Sequence, residues 1–577
     1  MEDFTGLLEL WIDNVDDPAL LAELEQLKTR DETAVRDAFY QDLTFGTAGL
    51  RGIIGAGPNR MNVYTVAKAT QGLADYINAN FTDPSVAIAR DSRNMGEEFV
   101  ETAAGVLAAN GIRALIYPRI EPTPALSFAV RDLGCCMGIC MTASHNPAPY
   151  NGYKAYGPDG CQITTQAARD IQNAINDVDI FKVERMPFVK AVEAGLASYI
   201  GEDTLDRFID AVSDQSLEAD GAHADVELNV VYTPLNGTGL ECCERIFDRI
   251  GVRNVTLVEE QSTPDGNFPT CPYPNPEIRE ALERGLALCE KVHPDLLLAT
   301  DPDADRVGIA AEHDGSYQLI SGNEMGILLL DYICRIRSAR GEDLDGAVAV
   351  TTIVSTAMVD ALAREYGFQL RRTLTGFKYI GEQIGLLEAA GTPERFIFGF
   401  EESYGYLSGA HVRDKDAINA SMLICQMARD YKTRGMDLVE ALEKLYAKFG
   451  YHKNATISLE YPGAEGAEKM RAIMEGLSSN PPAEFAGLQV ERSVDYNAGV
   501  RMPYVGSAGL MNDPDSPQTL PAANVFEMQL AGGSKVIVRP SGTEPKIKAY
   551  LFAACADEAS AEELLAKLDS AARKLLA

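Results

Sequence analysis

The stretch "VAIARDSRNMGEEFVETAAGVLAANGIRALIYP" (residues 86–118) holds three elements in a telling order. "VAIA" is an apolar run too short for a helix, and "GEEFVETAAGVLAANG" (96–111) has apolar residues at helical spacing and closes on glycine. "RALIYP" (113–118) is a second short apolar run. Strand, helix, strand predicts two parallel strands joined by a crossover helix. A third apolar run follows in "GICMTASHNP" (138–147), which carries Ser144 and His145 into a loop that Pro147 and Pro149 keep from becoming helical.

The same succession recurs twice. The second pass is "LNVVYTPLNGTG" (228–239), "LECCERIFDRIG" (240–251), "NVTLVEE" (254–260) and "DLLLATDPDADR" (295–306). The third is "AVAVTTIVST" (347–356), "AMVDALAREYG" (357–367), "FQLRRTLTGFKYIGE" (368–382) and "RFIFGFEESYG" (395–405). Each pass ends with an apolar strand running into a polar loop. Alternating strands and helices predict α/β layers with mixed, largely parallel sheets, in which ligands bind beyond the carboxyl ends of strands. The tail breaks the pattern: "SKVIVRPSGTEPKIKAYLFA" (534–553) reads strand, loop, strand, and "SAEELLAKLDSAARKLLA" (560–577) reads helix, giving a C-terminal α+β domain. The expected domains are therefore 1–210, 211–322, 323–450 and 451–577.

With 577 residues the chain exceeds one core, and 46% hydrophobic with 24% charged residues is an ordinary globular composition. The net charge of -34 argues against nucleic acid as a partner and against long-range steering of an anionic substrate. Any phosphate site must work through a local cluster of donors. The opening "MEDFTGLLELWIDN" lacks the basic-then-apolar order of a signal peptide, and no apolar run reaches the roughly 20 residues of a membrane span. Eleven scattered cysteines without a CxxC pair suit a reduced, cytoplasmic protein, and six histidines without metal-ligand spacing argue against a histidine-built zinc site.

The polar loops carry the chemistry. In an extended chain residues two apart share a face, so Asp301, Asp303 and Asp305 would converge and repel unless a cation sat among them. Hard carboxylate ligands suit Mg²⁺. A solvated acidic turn is the alternative. An EF-hand fails, because Arg306 stands where that loop needs glycine and "VGIAAEHDGSYQLI" (307–320) continues as a hairpin. Arg306 itself is placed to hold an anion. In "RPSGTEPK" (539–546), Arg539 offers a planar fork, Ser541 and Thr543 offer hydroxyls, and Gly542 lets backbone N–H groups approach a phosphate; a plain β-turn is the alternative. Glu401 and Ser403 in "GFEESYG" (399–405) suit sugar hydroxyls, while Lys378, Arg413 and Lys415 add cations in loops.

Ser144 lacks the glycines of a hydrolase elbow, and His145, the next residue, is badly placed to take its proton. A capping or turn serine remains open locally. The company of an acidic loop, a phosphate cradle and sugar-facing loops makes Ser144 a phosphoryl carrier instead.

Taken together, "FGTAGLRG" (45–52), "TASHNP" (142–147), "DPDADR", "GFEESYG" and "RPSGTEPK" resemble the α-D-phosphohexomutases, the phosphoglucomutase/phosphomannomutase superfamily, across nearly the whole chain. The resemblance implies four domains around a central cleft and a phosphorylated Ser144. It implies Mg²⁺ on Asp301, Asp303, Asp305 and a phosphoserine oxygen of Ser144, and catalytic roles for Arg51, Lys154 and His145. It further implies substrate contacts at Arg306, Thr375, Gly376, Lys378, Glu401, Ser403 and Lys415, and a phosphate clamp of Arg539, Ser541, Gly542 and Thr543. The implied reaction interconverts glucose 1-phosphate and glucose 6-phosphate, with glucose 1,6-bisphosphate as intermediate and activator. The departures "DPDADR" and "GFEESYG" resemble the longer branch of bacterial phosphoglucomutases and phosphopentomutases. Mannose and pentose phosphates are the alternative substrates; a phosphatase in which water attacks phospho-Ser144 and a non-catalytic sugar-phosphate sensor are the remaining alternatives.

Overall fold

The computed structural model describes residues 4–30, 32–46, 49–218, 226–461, 463–498, 500–501, 504–506, 509–511, 519–541 and 546–577. They form two compact units, one of Met1–Ser321, Ile380–Pro393 and Ser403–Thr433, the other of Gly322–Tyr379, Glu394–Glu402 and Arg434–Ala577. No described helix is long and apolar enough to cross a membrane.

The first unit contains two sheets. One runs in the order Leu50–Ile53, Tyr150–Tyr156, Met137–Met141, Ser85–Arg90, Arg113–Ile116, Ala197–Tyr199. Its last four strands are mutually parallel, and Tyr150–Tyr156 is antiparallel to both of its neighbours. The other sheet runs Ser316–Ile320, Val307–His313, Leu296–Thr300, Asn229–Thr233, Asn254–Leu257, again with a parallel core and an antiparallel flank.

In the second unit, Phe396–Glu401, Val348–Thr352 and Gln369–Thr373 are parallel neighbours. Each repeat thus places its third strand beside its first and its first beside its second. The expected hairpin after Arg306 is present, with Val307–His313 paired to Ser316–Ile320.

The repeats fold this way because their buried faces match. On the helix Gly96–Ala109, Phe99, Val100, Ala103, Ala104 and Leu107 are buried against Val86, Ile88, Ile116, Met137 and Ile139 of the sheet. Burying a large aliphatic or aromatic side chain of this kind stabilises by about 1.5–3 kcal/mol. The strands Leu296–Thr300 and Met137–Met141 are buried at every position, as expected when helices cover both faces.

The C-terminal region is an antiparallel sheet ordered Tyr451–Glu460, Lys546–Cys555, Lys535–Pro540, Phe526–Leu530, Leu488–Asp495, Glu484–Phe485. It is not wholly separate. The short strands Tyr504–Gly506 and Gly509–Met511 continue the third sheet beyond Gln369–Thr373, antiparallel to it. Ile353, Val354 and Leu374 also share one core with Tyr496, Val525, Ile537 and Phe552.

Candidate active site

Two hairpins of the first unit bring the acidic loop and Ser144 together. The acidic loop is pressed against the "NGTG" turn, where a Cβ on Gly237 would lie 2.4 Å from Pro302 Cα, so only glycine fits. Asp301, Asp303 and Asp305 converge, but not by the expected alternation of an extended chain. The backbone turns, with Ala304 left-handed at φ 49°, and Asp301 Oδ1 accepts the N–H groups of Asp305 (3.0 Å) and Arg306 (2.9 Å). All three side chains are buried, each with a carboxylate oxygen within 4.8 Å of the others.

Ser144 also sits in a left-handed turn, at φ 53°. Its Oγ lies 3.2 Å from Asp301 Oδ2, and this contact joins residues of two different sheets. The turn curls the next side chain back, so His145 Nδ1 is also 3.2 Å from Ser144 Oγ. Adjacency in sequence therefore does not keep the imidazole away. Burial and then the Arg306 and Arg51 guanidiniums push its pKa well below the usual value, which keeps the ring neutral. Arg51 Nη1 donates to Asn146 Oδ1 at 2.9 Å, which brings it to the serine loop.

Lys154 is buried, with Nζ 2.7 Å from Asp303 Oδ2 and 3.1 Å from Asp305 Oδ2. Lys415 Nζ lies 3.2 Å from Asp305 Oδ2 and 2.9 Å from Asp414 Oδ1. Expected as a substrate contact, Lys415 has the acid cluster as its neighbour. Arg306 pairs with Glu277 and faces Asp305 at 3.6 Å.

Burial pushes the Asp301 carboxyl well above the usual range, reinforced by Asp305 and Asp303. Burial acts the same way on Asp305, yet Lys154, Lys415 and Arg306 outweigh it and hold that carboxyl below the usual range. Asp303 Oδ1 and Asp305 Oδ1 are buried with no hydrogen-bond partner among the described residues. Two carboxylate oxygens without a hydrogen bond in a buried cluster of three acids, with one member straining toward protonation, fit a hard divalent cation.

The second unit holds most of the other expected residues. Glu401, buried at a strand end, accepts the Gly376 N–H through Oε1 at 2.8 Å, so these two loops meet. Thr375 Oγ1 is buried with no hydrogen-bond partner among the described residues. Lys378 Nζ lies 4.8 Å above the Tyr379 ring. Arg539 and Ser541 are half-buried, and Ser541 N–H donates to Lys546 O at 2.8 Å. Gly542 and Thr543 lie outside the described residues. Ser403 belongs to the first unit and is half-buried.

Sequence reading does not single out Thr123, Asp414, Asp91 or Arg93. Thr123 donates its hydroxyl to Asp303 Oδ2 at 2.8 Å and its N–H to Asp303 O at 2.9 Å. Asp414 takes Tyr156 Oη and Gln162 Nε2, both at 2.9 Å, while its other oxygen holds Lys415. Asp91 and Arg93 follow the first strand of the first repeat. A polar pair at the carboxyl end of a strand is the signal that marked the other loops.

Models described as phosphoglucomutase/phosphomannomutase alpha/beta/alpha domains I, II and III match residues 42–180, 206–315 and 321–449 in turn. A phosphoglucomutase of Staphylococcus aureus (strain bovine RF122 / ET3-1) is 37% identical over 551 residues, spanning 95% of each chain. Among solved structures, a phosphoglucomutase/phosphomannomutase family protein from Burkholderia thailandensis aligns with TM-score 0.63 at 20% identity, covering 92% of this chain and 96% of that one. The Paramecium exocytosis-sensitive phosphoprotein pp63/parafusin, a phosphoglucomutase in its open form, aligns with TM-score 0.67 at 17% identity, covering 93% and 95%. Three repeats with one strand order, the serine and acid loops in contact and a full-length relative all agree: this chain belongs to the phosphoglucomutase/phosphomannomutase family, the α-D-phosphohexomutases, and is a phosphosugar mutase.

Proposed function

We propose that the enzyme interconverts glucose 1-phosphate and glucose 6-phosphate through a phosphorylated Ser144 and glucose 1,6-bisphosphate. The observation that carries this reading is the 3.2 Å approach of Ser144 Oγ to Asp301, which sets a buried hydroxyl against an acid triad. The nearly full-length likeness to a phosphoglucomutase supports glucose as the sugar.

In the forward half-reaction the free sugar hydroxyl attacks the phosphorus, the Ser144 Oγ–P bond breaks, the hydroxyl proton ends on Ser144 Oγ, and the bisphosphate forms. After the bisphosphate reorients, Ser144 Oγ attacks the other phosphate, the sugar O–P bond there breaks, and the sugar oxygen takes up the proton given by Ser144 as the monophosphate product leaves. In the Nε2-protonated tautomer, neutral His145 accepts the Ser144 proton at Nδ1. Lys154 and Lys415 offset the charge of the carboxylates around the reacting phosphate, and Arg51 steadies the loop through Asn146. Asp301, Asp303 and Asp305 would hold Mg²⁺ together with a phosphoserine oxygen. When bound, the ion supplies neutralisation of the charge on the transferring phosphoryl oxygens.

Glu401, Ser403, Thr375, Gly376 and Lys378 contact the sugar, Arg306 holds an anionic group, and Arg539, Ser541, Gly542 and Thr543 grip the phosphate that is not reacting. Eleven cysteines, all free, suit the reducing cytoplasm. Turnover of glucose, mannose and ribose 1-phosphates, with the matching bisphosphate present, tests the assignment. Glucose 1-phosphate is expected to give the highest kcat/KM. Preference for mannose or ribose 1-phosphate would reassign the sugar, and steady release of inorganic phosphate would make the enzyme a phosphatase.

A further inference from the structure

Arg93 is fully buried beneath the serine loop, and its guanidinium is committed to that loop's backbone. Nη2 donates to the carbonyls of Ser144 and Asn146, both at 2.5 Å. Nη1 donates to Pro147 O at 3.0 Å and Tyr150 O at 2.9 Å. Nε faces Asp91 Oδ2 at 3.3 Å. Four carbonyls converging on one point repel one another, and only a planar cation with a fork of donors satisfies them together. A lysine, with its three N–H groups on one atom, spans fewer.

The same network reaches Ser144 from its other side. Asp91 Oδ2 accepts the Thr142 hydroxyl at 2.6 Å, and Thr142 Oγ1 in turn accepts the Ser144 N–H at 2.8 Å. Ser144 is thus held at both its N–H and its C=O. That matters because a left-handed backbone strains a non-glycine residue and persists only where its surroundings fix it.

Arg93 also meets the domain that carries the acid triad. Its guanidinium stacks on the ring of Phe268, 5.0 Å from the centroid. Phe268 is buried and left-handed at φ 45°. The two loops dock closely there. A Cβ on Gly266 would lie 2.6 Å from Asn94 N, and Asn94 Nδ2 donates to Asn267 Oδ1 at 3.0 Å.

We propose that Arg93 is a positioning residue for phosphoryl transfer. Clamped to the serine loop on one side and stacked on the metal-loop domain on the other, it fixes the reach from Ser144 Oγ to Asp301. It touches no reacting atom. The proposal rests on Ser144 being the phosphoryl carrier, so Ser144→Ala is assayed beside it.

The decisive variant is Arg93→Lys in the full-length enzyme. It is expected to lower kcat per folded molecule by about 100-fold, and to slow labelling of Ser144 by bisphosphate in parallel, with KM within about threefold. A merely structural role predicts a lower melting temperature and less folded protein, with kcat per folded molecule unchanged. Arg93→Lys retaining kcat within about threefold overturns the proposal. If Arg93→Lys does not fold, Phe268→Leu takes its place. It removes only the stacked ring and is expected to lower kcat about tenfold at unchanged KM; unchanged kcat overturns the proposal equally. Full activity in Ser144→Ala would instead refute the carrier reading itself.

Discussion

Around Ser144 the ionisable groups Asp301, Asp303, Asp305, Lys154 and Lys415 are buried. In the second unit Thr375, Gly376, Lys378, Arg539 and Ser541 are only half-buried, and among the described residues of the expected contacts there Glu401 alone is buried. Charge transfer to and from phosphorus gains from fixed dipoles in a water-poor setting, where each contact is stronger and needs no reorganisation. Groups proposed to accept a sugar in two orientations would gain from the opposite arrangement, since a rigid, dry pocket would fit one orientation only. The contrast predicts that damage to the first region appears in kcat and damage to the second in KM.

The sharpest test of that division is Ser144→Ala, expected to lower mutase activity by at least roughly 10⁴-fold, while circular dichroism shows an unchanged fold. Next comes the acid triad. Asp303→Asn is expected to lower kcat by about 10³-fold, and EDTA to abolish wild-type activity until Mg²⁺ is restored. Full activity after exhaustive chelation would place the chemistry elsewhere. Arg539→Ala should behave differently, raising KM for the sugar phosphate by about 10- to 100-fold and leaving kcat within a few-fold. A kcat loss as large as that of Asp303→Asn would erase the distinction between the two regions.

The smallest effect concerns stability. Each unit contains an ionisable group displaced toward neutrality. In the first unit, burial pushes the Glu121 carboxyl up to about 8, despite Arg119 at 3.0 Å. In the second, burial and then Arg372 push Lys535 down to about 8, while its Nζ donates to Ile353 O at 2.7 Å. Between pH 4.5 and 8 the unfolded chain ionises Glu121 and the folded chain does not, so stability falls as pH rises. Between pH 8 and 10.5 the unfolded chain still protonates Lys535 and the folded chain does not, so stability rises with pH. Glu121→Gln should flatten the acid-side slope of the melting temperature by a few degrees, and Lys535→Met the alkaline-side slope. Unchanged slopes would show that neither group titrates as its burial implies.

The repeats were readable because strand and helix periods alternate in the same order three times, and a buried parallel strand leaves an unbroken apolar run such as "DLLLAT". Ser144 and the aspartates stood out as polar residues at the ends of such runs. How the aspartates converge was not readable: the left-handed turn at Ala304 depends on Asp301 accepting two backbone N–H groups, which no spacing rule encodes. The strands Tyr504–Gly506 and Gly509–Met511 are too short to show a period, so their place on the third sheet is a tertiary fact. Arg93 was hidden for a related reason. Its burial is decided by carbonyls some fifty residues away, and "RDSR" by itself looks like a solvated loop.

The central claim is that Ser144 carries the phosphoryl group between sugar positions. Incubation of the enzyme with ³²P-labelled glucose 1,6-bisphosphate, followed by peptide mapping and a chase with unlabelled glucose 1-phosphate, measures this directly. The account predicts label on the peptide containing Ser144, stoichiometric with enzyme and lost to sugar phosphate at the rate of turnover. Label confined to another residue, or label on Ser144 that the chase does not remove, would contradict it.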